Sequence, residues 1–564
     1  MKLSPEYGSK KVKRISMAVA MTAVCLAPAA WAAPASRTKE SPCMPAVENP
    51  RVTCDRWPSH YDAKSWIRDV WRLENARTGE QKTLALYKWV RLQQHWGDQC
   101  FDGTRGTCAC ECDAIKKINI YPYGECSDFA VTSAALGHAG GLKAQEAHVP
   151  GHAQLEVFYG DADNVERWHR LDPFWGIVVY DKTGSHIADW QEIQRDPLIA
   201  MEPSKVVMPW GDKATDRMRF VEKASCEPSR RVRPSRYTMD KPLYAGETYI
   251  LAWDRLAGLD FYNANPQSRD KMTLWGFVRY RYAEGDLEKL AYGHEVLRPF
   301  IEKVGDQLQI HEAHGTLLFT PLLNERFADS TYAPPANVAV GPNRRSLRPA
   351  AAGVPAELVY LVQTPYVIAN GAVAGKFRTG KGDRITVQAA RADWRQVDDT
   401  LDQVVPARPD WKIVWESSGE GRQEMRLGEA EMQLRGEYKF LVKVQMTAAT
   451  DPSTVSLDML SFVVRFQEGV MALPRLMPGK NVIHVTAGRM KPGYGLSVTY
   501  IWDDAAGKER QASQRIEKVP FDFEIQAAGK RPADVRSRAL ILQAAYQGDR
   551  AASTRPAANS ASRG

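Results

Sequence analysis

After its first 32 residues, the 564-residue sequence contains no apolar segment long enough to cross a bilayer, so no membrane span is predicted there. The sequence also has little excess of charge: 75 Lys and Arg residues accompany 67 Asp and Glu residues, for a formal charge of +8. Residues 1–32 hold five of the positive charges and one negative charge, which leaves +4 for the remainder. Such a small and dispersed charge does not predict nucleic-acid binding.

The first 32 residues have the pattern of a secretory signal peptide. Basic residues precede an apolar run over 15–30, and the small-residue site Ala30-Trp31-Ala32 follows. This order predicts cleavage after Ala32 and a secreted or periplasmic, cell-envelope location. The remaining length is enough for several globular domains.

Eight cysteines remain after that cleavage, a number that predicts disulfides in an exported protein. Cys43 and Cys54 bracket a short Pro-containing loop and are predicted to pair. A second group could hold zinc, but its Cys-x-Cys-x-Cys spacing lacks the paired knuckles of structural zinc sites. Disulfides are therefore favoured over a metal there, although the sequence leaves both open. This group consists of Cys100, Cys108, Cys110 and Cys112.

The residues with the most chemistry lie between Tyr121 and Gly176. Cys126 is followed by Ser-Asp-Phe-Ala-Val, which is typical of the first turn of a helix. A thiol at a helix N-terminus lies near the positive end of the helix dipole, which favours the nucleophilic thiolate. His152 opens a strand-like segment and Asp172 ends another, so neighbouring strands could bring the two side chains together. The three residue types predict a nucleophile, a proton-transfer group and an orienting acid.

Residue alternation gives a further expectation for the segment 152–159. One set of alternate residues is apolar and predicts the buried face of a strand, which leaves His152 on the opposite face, toward the helix of Cys126. Each residue also has a structural interpretation: a disulfide cysteine, a strand-end histidine and a turn-forming aspartate before Pro173. Their joint occurrence in this order favours a site.

Three short blocks resemble the signature blocks of the transglutaminase-like (papain-like cysteine) superfamily, and the resemblance extends over about 62–193. These blocks are Gly-Glu-Cys-Ser-Asp-Phe-Ala at 124–130, Gly-His-Ala-Gln-Leu-Glu-Val at 151–157 and Arg-Leu-Asp-Pro at 170–173.

The resemblance implies one role for each matching residue. Cys126 would be the nucleophile, His152 the general base and acid, and Asp172 the carboxylate that orients the imidazole. Asp128 matches the acidic position two residues after the family's cysteine and would support the site. No cofactor is implied, and no metal site is predicted.

An acyl-transfer site also needs donors for the oxyanion. The backbone N–H of Cys126 is one candidate, and an upstream side chain would supply the second. No spacing rule separates the upstream candidates, which are Gln93, Gln94 and Trp96. Three other histidines compete with His152 for the catalytic role: His138, His148 and His169. A break at Pro150-Gly151 favours His152 over His148.

The predicted fold class is an α+β transglutaminase-like domain, with a helical layer and an antiparallel sheet, followed by mainly-β sandwich-type modules. Its helices include 62–75 and one opened by a capping box at Thr78. The predicted divisions are a signal peptide (1–32), a lead-in segment (33–60), the transglutaminase-like domain (61–203), a mixed α/β or β intermediate domain (204–333), a linker (334–355), a β-sandwich-like module (356–470), a second β module or its continuation (471–546) and a disordered tail (547–564).

Several functions are compatible with these features. The favoured one is hydrolysis of an amide through a thioester acyl-enzyme, on a protein, peptide or cell-wall substrate. The alternatives are a catalytically silent scaffold or binding protein, a cross-linking transglutaminase, and an amidase acting at a glycan linkage. The C-terminal β modules could bind a glycan or a protein partner, or serve only as spacers.

Overall fold

The computed structural model describes the chain between Cys43 and Tyr546 with gaps. The described residues are 43–96, 101–102, 109–110, 113–161, 165–201, 232–254, 256, 259, 262, 312–397 and 400–546. The predicted signal peptide and tail lie outside these residues, as do Cys100, Cys108, Cys112 and the side chain of Cys110. Their predicted disulfide or metal chemistry therefore stays a prediction.

The N-terminal part combines helices with short strands and one larger sheet. Its helices are α1 (Ala63–Leu73), α2 (Gly79–Gln93), α3 (Ala114–Asn119), α4 (Cys126–Ala139), α5 (Trp190–Arg195) and α6 (Leu198–Met201). Its strands are β1 (Val47–Glu48), β2 (Arg51–Cys54), β3 (His95–Trp96), β4 (Phe101–Asp102), β5 (Ala109–Cys110), β6 (Tyr123–Gly124), β7 (Lys143–Val149), β8 (His152–Gly160), β9 (Glu166–Asp172) and β10 (Ile177–Val178).

Local signals set the ends of the first helices. The carboxylate of Asp62 accepts a hydrogen bond from the Ser65 N–H and so starts α1, whose apolar stripe is buried. The predicted capping box is present at the start of α2, where Thr78 and Gln81 cap each other's backbone. Both predicted helices are therefore confirmed, with ends displaced by one or two residues.

Strands β7 to β10 form an antiparallel sheet in the order β10-β9-β8-β7, and α4 packs against β7 and β8. Because β8 is an inner strand, residues on both of its faces are buried from His152 to Val157. The alternation therefore identified an apolar face correctly but missed that the polar face is also covered.

The rest of the described chain is mostly β structure, with one short helix, α7 (Glu429–Met432). Its strands are β11 (Glu247–Ala252), β12 (Glu312–Phe319), β13 (Val338–Val340), β14 (Leu347–Pro349), β15 (Ala356–Gln363), β16 (Ile368–Thr379), β17 (Arg384–Arg391), β18 (Asp393–Val397), β19 (Thr400–Val404), β20 (Lys412–Glu416), β21 (Gly421–Leu427), β22 (Lys439–Thr447), β23 (Ser456–Gly469), β24 (Gly479–Thr486), β25 (Arg489–Met490), β26 (Tyr494–Asp503), β27 (Glu509–Ile516), β28 (Phe521–Ala527) and β29 (Arg536–Tyr546).

These strands pair into antiparallel sheets that are consistent with sandwich-type modules. The largest sheet runs β13-β14-β23-β12-β11-β29-β26-β27, with β16 and β21 attached beside β23. A second sheet has the order β15-β22-β17-β20, and a third has the order β2-β24-β28. In β22 and β26 alternate residues are apolar and buried.

Strand pairing joins segments that are far apart in sequence. Residues 334–355, predicted as a linker, contain β13 and β14 of the largest sheet. Cys54 in β2 pairs with Ile483 in β24, and the indole N–H of Trp57 donates to the Met471 carbonyl at 3.0 Å. The N-terminal lead-in is thus an integral part of the C-terminal β structure.

Within the described ranges, none of the helices has the length and apolar character needed to cross a membrane.

Candidate functional site

Helix α4 begins at Cys126, with Glu125 as its N-cap residue. The Cys126 side chain is half-exposed, whereas the helix is buried from Asp128 to Gly137. Small residues at Ala134, Ala135 and Gly137 allow neighbouring helices and strands to approach closely, and Leu86 lies 3.4 Å from the point where a Gly137 Cβ would stand. The sequence therefore builds a central helix that reaches the surface only at its two ends.

A buried ion pair fixes the start of this helix. The Asp128 carboxylate accepts hydrogen bonds from the Lys117 ammonium at 2.8 Å and from the Glu125 N–H at 3.0 Å. Both charged side chains are almost fully buried. A Cβ at Gly124 would lie 2.5 Å from the Asp128 Cβ, so only glycine fits there. Asp128 thus supports the position of Cys126.

His152 follows the tight turn of the β7–β8 hairpin. Val149 pairs with His152 across the hairpin, and Gly151 has a φ of +70°, the left-handed conformation that a Pro-Gly turn requires. This turn breaks the strand where the sequence predicted a break. His152 is therefore the first residue of β8, next to the end of β9.

Asp172 ends β9 and binds the imidazole directly. The Asp172 Oδ2 atom lies 2.5 Å from His152 Nε2, and its Oδ1 accepts the Trp175 N–H at 2.8 Å. Both side chains are almost completely buried. Because Nε2 is occupied by the carboxylate, Nδ1 is the ring nitrogen left for another partner.

The Cys126 side chain is the second group that acts on the His152 imidazole. Burial alone would lower the pKa of His152, but the charge and hydrogen bond of Asp172, with the contact to Cys126, outweigh burial and raise that pKa to about 9. The imidazole is therefore protonated at neutral pH. The structure thus brings the Cys126 side chain beside the hydrogen-bonded pair of His152 and Asp172.

The Trp175 ring stacks on the imidazole, with ring centroids 3.8 Å apart and planes inclined by 12°. The sequence analysis did not identify Trp175 or Lys117 as part of the site. Trp175 could have been predicted, because Phe174 and Trp175 directly follow Asp172-Pro173 and a turn there places them over the end of the strand. Lys117 gave no such signal, since a lysine in a charged segment is usually exposed.

The candidate oxyanion donors occupy different places. Gln93 accepts from the Trp66 indole at 2.8 Å and donates to the Met471 carbonyl at 3.1 Å, so its amide already bonds elsewhere. Gln94 donates to Thr132 at 3.4 Å, about 9 Å along the helix from Cys126. The backbone of Trp96 pairs in parallel with Gly124, two residues before Cys126.

The competing histidines have other partners. His138 Nε2 lies 2.7 Å from the Ala144 carbonyl, and His148 Nε2 lies 3.3 Å from Glu146. His169 is buried at the far side of the sheet, with Nδ1 bound to the Ile187 carbonyl.

Cys43 and Cys54 are both free thiols, so the predicted disulfide between them is wrong. Cys43 receives the Thr331 hydroxyl at 3.7 Å, whereas Cys54 is buried with its sulfur 3.8 Å from Asn481 Oδ1. Strand pairing with distant residues, not the short loop between the cysteines, decides where each sulfur lies.

Across the described part of the chain, no group of three or more His, Cys, Asp or Glu side chains could hold a metal ion.

Comparison with known proteins gives little further information. No family model and no curated protein matches the chain. An allantoicase structure is 8% identical and covers 40% of this chain and 85% of its own, with a TM-score of 0.18. An FMN-binding β-glucuronidase from Facaelibacterium prausnitzii L2-6 is 11% identical over 34% of this chain and 27% of its own, with a TM-score of 0.12. Similarities this weak carry no argument about fold or function.

Proposed function

We propose that the chain is an exported, cysteine-dependent amide hydrolase with a transglutaminase-like domain at about 62–193. The observation that supports this most directly is the line of contacts from Cys126 through His152 to Asp172. The packing of α4 against an antiparallel sheet, with the nucleophile in its first turn and the histidine at a strand start, agrees with the same interpretation.

The proposed reaction needs only these groups and water. The Cys126 thiolate attacks the amide carbonyl, and the tetrahedral intermediate collapses as His152 donates its proton to the departing amine. This step breaks the C–N bond and leaves a thioester on the sulfur. His152 then removes a proton from water, which attacks the thioester and releases a carboxylic acid and the Cys126 thiolate, so the starting protonation states are restored. Asp172 keeps the imidazole oriented throughout.

The oxyanion would be stabilised by two donors. Among the described residues, the backbone N–H of Cys126 has no hydrogen-bond partner, as expected for the first N–H of a helix. We propose that Trp96 supplies the second donor, because its backbone lies beside Gly124 and the alternatives bond elsewhere. Replacing Trp96 by Phe would then lower kcat by roughly 10²–10³-fold without loss of folding.

Which acceptor takes the acyl group, water or an amine, depends on which of them can reach the thioester. Water is the favoured acceptor because it needs no second binding site, and the proposed substrates are protein, peptide or cell-wall amides. Product analysis separates this case from amine cross-linking and from cleavage at a glycan–amide linkage.

The test is labelling of the reduced, folded protein with iodoacetamide at neutral pH, followed by mapping of the modified cysteines. We expect rapid labelling of Cys126, with Cys43 as an internal control because it is also free and half-exposed. The variant C126A must lose the rapid phase. Equal, slow labelling of both cysteines would instead favour a silent scaffold that uses this fold for binding.

A further inference from the structure

Two buried ion pairs lie side by side on the sheet that carries the proposed triad. One is His152–Asp172, and the other joins Glu156 of β8 to Arg170 of β9. The Arg170 guanidinium donates to Glu156 Oε1 at 3.1 Å through Nε and at 2.7 Å through Nη2. Both of these side chains are almost fully buried. The reaction proposed for Cys126 makes no use of the second pair.

The strand register places both pairs on one face of the sheet. Glu156 is paired with Arg170 across β8 and β9. Alternate residues of a strand share a face, so His152 lies on the face of Glu156, and Asp172 lies on the face of Arg170. Asp172 therefore has two cations near it on this face. It binds the His152 imidazole, and Arg170 precedes it by two residues, or about 7 Å, on its own strand.

These four side chains could pair in another way. A guanidinium can bind a carboxylate through two parallel hydrogen bonds, which makes Arg170 a strong competitor for the Asp172 carboxylate. Across the described residues, however, the hydrogen-bond partners of Asp172 are His152 and the Trp175 N–H. The carboxylate that Arg170 binds is that of Glu156.

Contacts from two other elements support this pairing. Gln145 of β7 is the cross-strand neighbour of Glu156 and donates to its Oε2 at 2.8 Å. The guanidinium carbon of Arg170 lies 4.1 Å from the ring centroid of Trp190 in α5. Glu156 and Trp190 thus hold the guanidinium beside Glu156 and away from Asp172.

Charged groups also approach the surroundings of His152 from two helices. At the start of α4, Lys117 and Asp128 bind each other at 2.8 Å. From α2, Arg91 donates to the carbonyl of Phe174 at 2.9 Å, and the Phe174 ring centroid lies 6.0 Å from that of the imidazole. Neither of these cations binds the carboxylate that orients the imidazole.

We propose that Glu156 is a positioning residue for the proposed hydrolysis: it binds Arg170 and so leaves the Asp172 carboxylate to His152. This inference rests on the function proposed for Cys126, although the pairing of the two cations with the two acids can be measured without turnover. Glu156 acts on the imidazole through Arg170 and Asp172.

Removal of each partner should have a different effect on His152. In E156Q the guanidinium loses the Glu156 charge and turns to Asp172, so His152 should titrate at least about one pH unit lower than in the wild type. In R170M the competing cation is absent, so the titration should not fall. The double variant E156Q/R170M should recover the wild-type titration.

A purely structural role would not separate the two single variants. E156Q and R170M each break a buried ion pair, so both should unfold more easily. Gln145→Met removes only the hydrogen bond that orients Glu156 and breaks no ion pair. It should lower the His152 titration by less than E156Q does, and it takes the place of E156Q if that variant does not fold.

The test is an NMR titration of the full-length, reduced protein labelled with ¹³C at the histidine Cε1 atoms. The signal of His152 is the one that His152→Ala lacks. E247Q is the matched control, because Glu247 of β11 forms a similarly buried pair with Lys241 at 2.6 Å. E247Q should leave the His152 titration unchanged.

Several results would overturn the proposal: an unchanged titration in E156Q, an equal fall in R170M or E247Q, or no recovery in the double variant. Alkylation of Cys126 in the same wild-type sample reports separately on the proposed function. Slow wild-type alkylation would contradict that function. Rapid wild-type alkylation together with an unchanged titration in E156Q would contradict only the role of Glu156.

Discussion

Among the described residues, two half-exposed free cysteines have very different surroundings, one in the N-terminal lead-in and one at the start of α4. Cys43 receives a hydrogen bond from a neutral hydroxyl, that of Thr331. Cys126 stands at a helix N-terminus and contacts an imidazole whose pKa is raised to about 9. Exposure is therefore not what separates the two thiols. The difference lies in the positive charge beside the sulfur, which is what makes a thiol nucleophilic.

Removing the imidazole should have the largest effect on the difference in reactivity between Cys126 and Cys43. In His152→Ala, we expect amide hydrolysis to fall by roughly 10²–10⁴-fold, because the proton-transfer group is lost. Alkylation of Cys126 should fall to the rate of Cys43. The matched control is His148→Ala, whose histidine lies next to Glu146 and not in the triad. Retained rapid alkylation in His152→Ala would contradict the comparison.

The ion pair at the start of α4 should affect stability more than reactivity. Lys117→Met leaves the buried Asp128 carboxylate unpaired, so we expect the free energy of unfolding to fall by about 3–5 kcal/mol. Denaturant unfolding measures this loss. Adding Asp128→Asn removes the unpaired charge and should restore part of the stability. If Lys117→Met slowed alkylation of Cys126 in the folded fraction as strongly as His152→Ala, the structural role assigned to this pair would be wrong.

The His152–Asp172 pair should make stability depend on pH. Folding raises the pKa of His152 from its ordinary value of 6.5 to about 9, so its stabilising contribution is full below about pH 6.5 and is lost as pH rises through 9. That contribution is at most about 3 kcal/mol. Asp172→Asn should flatten this part of the curve, as measured by unfolding at several pH values. An unchanged pH dependence in Asp172→Asn would contradict the assignment.

The stacked indole should contribute least. Trp175→Leu keeps the backbone N–H that binds Asp172 and removes the ring that covers the imidazolium. A cation–π contact of about 1 kcal/mol predicts a roughly fivefold fall in the alkylation rate of Cys126 relative to Cys43. Trp190→Leu is the matched control, because that ring covers Arg170 instead. Equal effects of the two substitutions would assign the loss to packing.

Local sequence patterns predicted the elements that carry the site. The helix at Cys126, the break at Pro150-Gly151 and the strand ending at Asp172 each depend on neighbouring residues, and each is present. The positions of these elements bring the three side chains together, as expected if the strands that carry His152 and Asp172 are neighbours.

Features decided by distant pairing were not predictable in the same way. Cys43 and Cys54 are close in sequence, yet one lies beside Thr331 and the other beside Asn481. The Gln93 side chain likewise donates a hydrogen bond to the carbonyl of Met471, 378 residues away.

The most direct test of the central claim is the ratio of the alkylation rates of Cys126 and Cys43, measured by mass spectrometry in one sample across pH. A positively charged imidazole lies beside Cys126 and a neutral hydroxyl beside Cys43, so Cys126 should react faster. We predict a ratio well above one at pH 7 that disappears in His152→Ala. A ratio near one at every pH would contradict the account.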